Sequence, residues 1–270
     1  RSGSMQVWRL DLAGGEARQV TDYALDVGSF VLAPDGKRIA LSFEVFAECA
    51  VDLACTKKRL DDKAAGKASG QLYEQLFIRH WDTWADGRRS QLFVAALDAQ
   101  GVASSTLAHV SRGIDGDVPS KPFGDDSEYA WRPDGEALAF SVRIAGRDEP
   151  WSTNFDIYLA PADGSEEPSN LTRANPAWDA GPLFSADSRT LYYRAMKRPG
   201  FEADRLALMA MDLATRATRE IAPGWDRSAD SLLLSADGRS LYAVSNDLGH
   251  TPLFAIDIAS GKVAKIVGDG

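Results

Sequence analysis

The sequence contains no apolar run that approaches the ~20 residues of a membrane-spanning helix, so it predicts no membrane span. Cysteine occurs twice and histidine three times, which leaves few ligands for a zinc site. Lys and Arg number 30 against 39 Asp and Glu, a formal net charge of -9. That charge argues against nucleic-acid binding, which needs clustered cations to neutralise phosphates. We therefore expect no metal, no cofactor and no nucleic-acid partner.

Four segments of the chain repeat one pattern, a short turn around an Asp followed by an apolar strand. The turns are Ala33-Pro34-Asp35-Gly36, Arg132-Pro133-Asp134-Gly135, Ser185-Ala186-Asp187-Ser188 and Ser235-Ala236-Asp237-Gly238. Positions 134, 187 and 237 are 53 and 50 residues apart, and the gap of 99 from position 35 to 134 is two such periods or one with an insertion. A repeat of about fifty residues made of short strands is typical of a β-propeller blade.

A second repeated unit is a strand that ends in or near Asp, followed by a turn and a β-rich return. It occurs at residues 7–12, 92–98, 157–163, 208–213 and 253–258. Gly14-Gly15, Asp163-Gly164 and Ser260-Gly261 supply tight hairpin turns after three of these strands. Each blade is therefore predicted to contain two hairpins. In one of them, residues 129–131 pair with residues 137–142.

Together the two repeated sequence patterns predict an all-β fold, a β-propeller of four-stranded blades that occupies residues 1–270. Four hairpins of the first type and five of the second amount to about four and a half blades. Propellers usually close with four to eight blades, so the chain could form a small ring or part of a larger one. Because the chain starts inside a hairpin, we expect an incomplete propeller from a ring of roughly seven or eight blades.

Residues 46–91 interrupt the repeat. Helix-forming residues at 61–68 and the helical spacing of Leu72, Leu76 and Arg79 or His80 predict an insertion with one or two short helices. Loops longer than about fifteen residues in compact domains are usually functional or disordered. The aromatic residues in the second half of this segment argue against disorder, so we expect a lid-like insertion.

Both cysteines, Cys49 and Cys55, lie in this insertion. Two cysteines close together in a loop suit a local disulfide in an oxidising compartment. The alternative is two free, buried thiols in a cytosolic protein. A zinc site is not expected, because no His or further Cys lies at ligand spacing.

Two longer strings resemble a known family. The first comprises residues 112–124 followed by 129–135, and the second is Leu-Phe-Ile-Arg-His-Trp-Asp-Thr-Trp at 76–84. Both are similar to the propeller of bacterial serine peptidases of the prolyl oligopeptidase family, in its dipeptidyl and acylaminoacyl peptidase branch. The resemblance implies a propeller that caps a C-terminal α/β-hydrolase domain and limits entry to short peptides. The Asp-Gly hairpins are less specific, because they recur in Tol-type propellers.

The catalytic domain of such a peptidase is not expected within these residues. An α/β-hydrolase needs a Gly-x-Ser-x-Gly elbow, and no serine of this sequence has glycine two positions before and two after it. The alternating strands and long helices of a hydrolase sheet are absent as well. His80, His109 and His250 lie in or beside propeller hairpins, with no Ser-His-Asp order.

Three groups of residues are candidates for binding. Glu44 and Glu48 enter the insertion four residues apart, and the resemblance implies that acidic propeller residues hold the α-ammonium of a peptide. Arg79, His80, Trp81 and Trp84 combine a guanidinium with flat apolar rings, although packing is the alternative. Other tryptophans, at 8, 131, 151, 178 and 225, are expected in the core. The last group, Asp115, Asp117, Asp125 and Asp126, could surround Ca²⁺, but solvated loop carboxylates fit better.

Two function classes follow from these observations. The first is the propeller of a periplasmic or secreted serine exopeptidase that acts on short peptides, with a cytoplasmic location as the alternative. The second is a stand-alone Tol-type propeller that binds a protein partner without chemistry. The insertion favours the first, because a scaffold has little need of a long lid. The sequence leaves the oligomeric state open, including a homo-oligomer.

Overall fold

A computed structural model describes residues 3–70, 72–73 and 78–268. The chain divides into two compact units. The first comprises Arg1–Asp126, Ile144–Pro150 and Ala160–Pro168. The second comprises Ser127–Arg143, Trp151–Leu159 and Ser169–Gly270. No helix in the described ranges has the length and apolar character required to cross a bilayer.

The strands of the first unit form one four-stranded blade and two smaller hairpins. They are β1 (Trp8–Arg9), β2 (Arg18–Gln19), β3 (Phe30–Leu32), β4 (Arg38–Phe46), β5 (Arg79–His80), β6 (Thr83–Trp84), β7 (Arg88–Leu97) and β8 (Ala103–His109). The blade has the antiparallel order β3-β4-β7-β8, while β1 pairs with β2 and β5 with β6. The β4–β7 ladder runs without interruption from Arg38↔Ala96 to Phe46↔Arg88. This long ladder continues to the point where the insertion leaves the sheet.

The core of the first unit lies on one face of this blade. Every second residue of β4 contributes its side chain to this core, because successive side chains of a strand point to opposite faces. Ile39, Leu41, Phe43 and Val45 are almost fully buried there, and Phe93 of β7 packs beside Phe43 with ring centroids 5.7 Å apart. The opposite face of the same strands is more polar, and it carries Ser42, Glu44 and Ser90.

The segment between β4 and β7 covers residues 47–87, against the predicted 46–91, and its described residues include one α-helix. A 3₁₀ turn (Ala47–Cys49) leads to helix α1 (Leu53–Ala65), whose N-cap Asp52 accepts a hydrogen bond from the backbone of Cys55. The helix begins eight residues earlier than the predicted stretch at 61–68. The helical spacing proposed through Arg79 and His80 was wrong, because these residues form a strand paired with β6. Leu76, part of that spacing, lies outside the described residues.

The second unit contains three four-stranded blades. Its strands are β9 (Tyr129–Trp131), β10 (Ala137–Val142), β11 (Asp156–Pro161), β12 (Ser169–Asn170), β13 (Asp179–Phe184), β14 (Thr190–Ala195), β15 (Ala207–Asp212), β16 (Thr218–Glu220), β17 (Ser231–Leu234), β18 (Ser240–Val244), β19 (Leu253–Asp257) and β20 (Val263–Val267). The last two residues of β11 are counted with the first unit. The blades have the orders β9-β10-β11-β12, β13-β14-β15-β16 and β17-β18-β19-β20. Each is a pair of hairpins, which confirms the prediction of four-stranded propeller blades.

Apolar residues from neighbouring blades fill the core of the second unit. One cluster joins Ile157, Phe184, Leu191 and Met211, and another joins Leu208, Leu241 and Ile256 with their neighbours. Trp131 is buried, as predicted for a core tryptophan. Trp8 and Trp151 are not, with 43% and 65% of their surfaces exposed, so the expectation that both pack in the core was wrong.

Candidate functional site

A cavity of about 700 Å³ lies in the first unit, against the polar face of β4 and β7. Helix α1 forms a second wall, and the loop at residues 119–125 forms a third. Charged residues of both signs line it, among them Glu44, Arg88 and Lys121. The alternation of side chains along β4 explains why Glu44 faces the cavity while Phe43 and Val45 belong to the core. A mixed-charge cavity on a rigid sheet is a candidate binding site.

Glu44 is one of the acidic residues that line this cavity, and two cations hold its carboxylate. Its Oε2 lies 2.9 Å from Nη2 of Arg88, and its Oε1 lies 3.0 Å from Nζ of Lys121. Arg88 is itself held by Asp86, whose Oδ2 lies 2.7 Å from Nη2. Burial acts to raise the pKa of Asp86, but hydrogen bonds and charge from Arg88 outweigh it and lower the pKa overall.

Lys121 has two further polar partners besides Glu44, one hydrogen-bond acceptor and one ion-pair partner. Its Nζ donates to the backbone oxygen of Arg88 at 3.4 Å and lies 3.6 Å from Oδ1 of Asp117. The side chain of Asp117 is only 11% exposed, and its Oδ1 also accepts a hydrogen bond from the backbone N–H of Ser90 at 2.7 Å. The ammonium group is thus surrounded by two carboxylates and one carbonyl.

Glu48, the second predicted carboxylate, is not brought to the same place. It lies in the 3₁₀ turn after β4 and forms an ion pair with Arg59 of α1. The guanidinium of Arg59 also lies over the ring of Phe46, 3.9 Å from its centroid. The spacing of four residues therefore does not produce a pair of adjacent carboxylates, because the chain leaves the strand between Glu44 and Glu48.

Arg89 forms a second network of ion pairs, on the face of β7 that points away from the cavity of about 700 Å³. It donates to both carboxylate oxygens of Glu149, at 2.9 and 3.0 Å, and to Oδ2 of Asp117 at 3.0 Å. Asp115 lies 3.4 Å from its Nε. The hydrogen bond to Glu149, together with the charges of Glu149 and Asp117, raises the pKa of Arg89 above its already high value. Asp117 thus links Arg89 to Lys121.

This network corrects one expectation about the loop carboxylates. Asp115 is 77% exposed, but Asp117 is a largely buried partner of Arg89 rather than a solvated group. Asp125 lines the cavity, and Asp126 begins a short 3₁₀ helix. Within the described ranges, no group of three or more His, Cys, Asp or Glu is placed to hold a metal ion.

An aromatic patch, formed by His80, Trp81 and Phe123, lies beside the loop that lines the cavity. The rings of Trp81 and Phe123 meet edge to face with centroids 5.2 Å apart, and His80 lies 6.1 Å from Phe123. Trp81 is 73% exposed and Phe123 is 67% exposed. Arg79 and Trp84 pair across the β5–β6 hairpin, with the guanidinium 5.4 Å from the indole centroid.

A smaller cavity of about 290 Å³ lies on the core-facing side of β7, next to Arg89 and His109. His109 stacks on Phe93 and contacts Oε1 of Gln91 through Nε2 at 3.0 Å. Burial lowers the pKa of His109 to about 4, and the charge of Arg112 acts in the same direction. His109 is therefore neutral at pH 7, which suits a structural role in the blade.

Cys49 and Cys55 are joined by a disulfide, with Cα atoms 5.6 Å apart. The bond ties the 3₁₀ turn that follows β4 to the first turn of α1. It therefore fixes the start of the helix that forms one wall of the cavity.

Lys121 and Arg88 were missed by reasoning from the sequence, and Asp117 was considered only as a calcium ligand or a solvated carboxylate. Lys121 and Asp117 lie within the string at 112–124 that carries the family resemblance, so a signal was present in that string. Their contacts with Glu44 and Arg89 depend on how distant segments meet, which a local pattern does not reveal.

Comparison with known proteins places this fold among peptidase propellers. A probable dipeptidyl-peptidase 5 of Emericella nidulans is 32% identical over 213 residues, covering 75% of this chain and 29% of the relative. Dipeptidyl-peptidase 5 of Porphyromonas gingivalis is 27% identical over 242 residues, covering 89% of this chain and 34% of the relative. The chain thus spans about a third of the length of these curated relatives. No family model matches it.

Solved structures support the same fold at low sequence identity. Acylaminoacyl peptidase of Pyrococcus horikoshii matches with a TM-score of 0.60 and 14% identity, covering 97% of this chain and 35% of the other. A putative TolB of Agrobacterium tumefaciens matches with a TM-score of 0.59 and 16% identity, covering 97% of this chain and 73% of the other. At these identities the likeness shows the propeller fold alone.

The blades and the sequence relatives together define a class of protein, a peptidase-associated β-propeller. The chain is a propeller portion of a prolyl oligopeptidase-family peptidase, similar in sequence to the dipeptidyl-peptidases 5.

Proposed function

We propose that this chain is the non-catalytic propeller of a serine exopeptidase that releases dipeptides or acyl-amino acids from oligopeptides. The observation that carries the proposal is the sequence similarity to dipeptidyl-peptidases 5 over most of the chain. In this proposal the propeller limits access to short peptides and helps to bind the peptide N-terminus. A C-terminal α/β-hydrolase domain of the same protein supplies the serine nucleophile.

Glu44 is the residue that we propose to hold the peptide N-terminus. It lies on a strand rather than a loop and faces a cavity of about 700 Å³, which is large enough for a short peptide. A carboxylate binds an ammonium group by charge-assisted hydrogen bonds, which are stronger than neutral ones. Glu48 remains a second candidate, although its ion pair with Arg59 directs it toward α1.

Arg79, His80, Trp81 and Trp84 are proposed to contact the remainder of the peptide. The support for this is the exposed aromatic patch, in which Phe123 belongs to the same loop as the cavity-lining Lys121 and Pro122. Exposed aromatic rings provide apolar contact area at a small cost in conformational entropy. An arginine at the edge of the patch can pair with a backbone carbonyl or a carboxylate of the peptide.

We propose a periplasmic or secreted location for the whole protein. The disulfide between Cys49 and Cys55 supports this, because disulfides persist in oxidising compartments and are rare in the cytosol.

The alternative is a Tol-type propeller that acts as a protein-binding scaffold. Its support is the fold likeness to TolB structures, at 14% to 16% sequence identity. The sequence relatives carry more weight, because they match at 27% to 32% identity and are named as peptidases.

Hydrolysis by the full-length protein tests the proposal. We expect release of dipeptides from peptides with a free N-terminus, and inhibition by a serine-directed phosphonate. The variant Glu44→Gln should raise KM for these substrates by about tenfold, since it removes a charged hydrogen bond, while Glu166→Gln on an exposed loop should not. A full-length protein that cleaves no peptide but captures a protein partner would favour the scaffold.

A further inference from the structure

Three oxygen atoms surround the ammonium group of Lys121. Three acceptors lie around its Nζ: Oε1 of Glu44 at 3.0 Å, the backbone oxygen of Arg88 at 3.4 Å and Oδ1 of Asp117 at 3.6 Å. A lysine ammonium has three N–H donors; Glu44 and the Arg88 carbonyl lie within hydrogen-bond distance of it, and Asp117 adds a charge interaction at 3.6 Å. The site has the chemistry that the α-ammonium of a peptide also requires.

The acceptors are fixed more firmly than the lysine that they hold. Glu44 and Arg88 belong to the paired strands β4 and β7, and Asp117 is anchored by the backbone of Ser90 and by Arg89. Lys121 reaches them from a loop, through a flexible four-carbon stem. Immobilising such a side chain costs conformational entropy that is regained on release. Lys121 can therefore leave the site while the acceptors stay in place.

The charges around Glu44 favour replacement of Lys121 by a peptide ammonium group over binding of that group beside Lys121. Glu44 already interacts with Arg88 through its other oxygen, and Asp86 keeps Arg88 in that position. A peptide ammonium that joined both Arg88 and Lys121 at Glu44 would be a third cation around one carboxylate, which is unfavourable at such short distances. Departure of Lys121 removes that repulsion and frees three acceptors at once.

We propose that Lys121 is an internal competitor, which occupies an ammonium site formed by Glu44, Asp117 and the Arg88 carbonyl until a peptide α-ammonium replaces it. This inference rests on the proposed function and extends it. It assigns Asp117, rather than Glu48, as the second carboxylate at the peptide N-terminus. It also makes Lys121 a regulator that lowers the affinity for free amines and leaves the affinity for acylated N-termini unchanged.

Binding of trialanine to the full-length protein, whose catalytic serine has first been blocked by a small phosphonate, tests the proposal by calorimetry. The variant Lys121→Met keeps the length of the stem and removes the charge. It should tighten binding of free-amine trialanine by about fivefold, the scale of one partly exposed ion pair. It should leave N-acetyl-trialanine unaffected. Lys121→Arg retains the cation and should bind trialanine about as the wild type does.

Lys58→Met is the matched control, because Lys58 forms an exposed ion pair with Asp62 on α1. It should change neither affinity. Weaker or unchanged trialanine binding by Lys121→Met would overturn the proposal and would make Lys121 a substrate ligand or a bystander. A second arm adds Asp117→Asn to Lys121→Met. This double variant should lose the gain in affinity, and retention of the gain would exclude Asp117 from the site.

The outcomes separate this inference from the proposed function. Peptide hydrolysis by the wild type without tighter binding by Lys121→Met would contradict only the inference. Tighter free-amine binding by Lys121→Met in a protein that hydrolyses no peptide would contradict only the peptidase proposal. Absence of trialanine binding by both the wild type and Lys121→Met would contradict the ammonium site itself.

Discussion

Asn175 donates a hydrogen bond from Nδ2 to Oδ1 of Asp179 at 2.9 Å, and Asp179 is completely buried at the start of β13. Burial raises the pKa of this carboxyl group to about 7, a shift that the hydrogen bonds from Asn175 and Thr172 reduce and the charge of Asp156 increases. A carboxyl group that gains a proton near neutral pH makes the stability of its blade depend on pH.

We expect the free energy of unfolding to fall as the pH rises from about 4 to 7, relative to Asp179→Asn. The folded pKa of Asp179 is above the ordinary value of 3.8, so the folded state holds its proton more tightly than the unfolded state does. The stability that this proton contributes is complete below pH 3.8 and is lost as the pH approaches 7. The slope for one such group is about 1.4 kcal/mol per pH unit. Urea unfolding across this range measures it. Asp230→Asn, at an exposed position, is the control, and a constant difference between wild type and Asp179→Asn would contradict the prediction.

The disulfide between Cys49 and Cys55 should be detectable in the native protein and should stabilise the start of α1. Alkylation of the unreduced protein should leave both cysteines unlabelled, and alkylation after reduction should add two labels. Replacing both cysteines by serine should destabilise this segment by about 2 kcal/mol, as estimated for the closure of a short loop. Amide exchange of α1 measures the local effect. Labelling of both thiols without reductant would disprove the bond.

Under the proposed function, Arg79→Ala should lower kcat/KM of the full-length protein for short peptides by about tenfold. The physical reason is the loss of one charged hydrogen bond to the peptide, worth ~1.5 to 3 kcal/mol. Arg147→Ala is a suitable control, because Arg147 is also an exposed arginine of the first unit. An unchanged kcat/KM over a range of peptides would remove Arg79 from the binding site.

Two glycines at hairpin turns of the second unit should respond very differently to alanine. Gly261 and Gly238 have nearly equal positive φ angles, 70° and 69°. A Cβ at Gly261 would lie 2.3 Å from the backbone oxygen of Ile221, whereas a Cβ at Gly238 would meet no atom within 4 Å. Gly238→Ala should therefore cost only the left-handed backbone penalty, roughly 1 kcal/mol. Gly261→Ala should cost clearly more, as thermal unfolding would show. Equal losses would contradict this.

The blades could be predicted because their signals are local. The strands at 129–131 and 137–142 were predicted to the residue, since an Asp-Gly turn fixes the register of the hairpin around it. The β5–β6 hairpin was mistaken for a helix because a few apolar residues at helical spacing fit a short hairpin equally well. Trp8 and Trp151 were misplaced because residue type alone does not reveal which face of a strand or loop is covered.

The candidate site was predicted only in part, for a related reason. Glu44 was found because a carboxylate at the entry of an insertion is visible in the sequence. Its partner Lys121 is 77 positions away, and the two residues meet only because a loop after β8 returns to β4. Contacts of this kind follow from the packing of the whole unit, and no spacing rule connects them.

The pairing of Phe46 with Arg88 has a consequence for the evolution of this domain. These two residues are direct neighbours across the ladder, so the segment 47–87 leaves and re-enters the sheet at one point. A tight turn could join them, and lengthening such a loop adds little to the entropy of closing it. Segments of different length can therefore leave and re-enter the sheet at this same point. We expect a graft of a relative's segment at Phe46 and Arg88 to fold with the ladder that carries Glu44 intact.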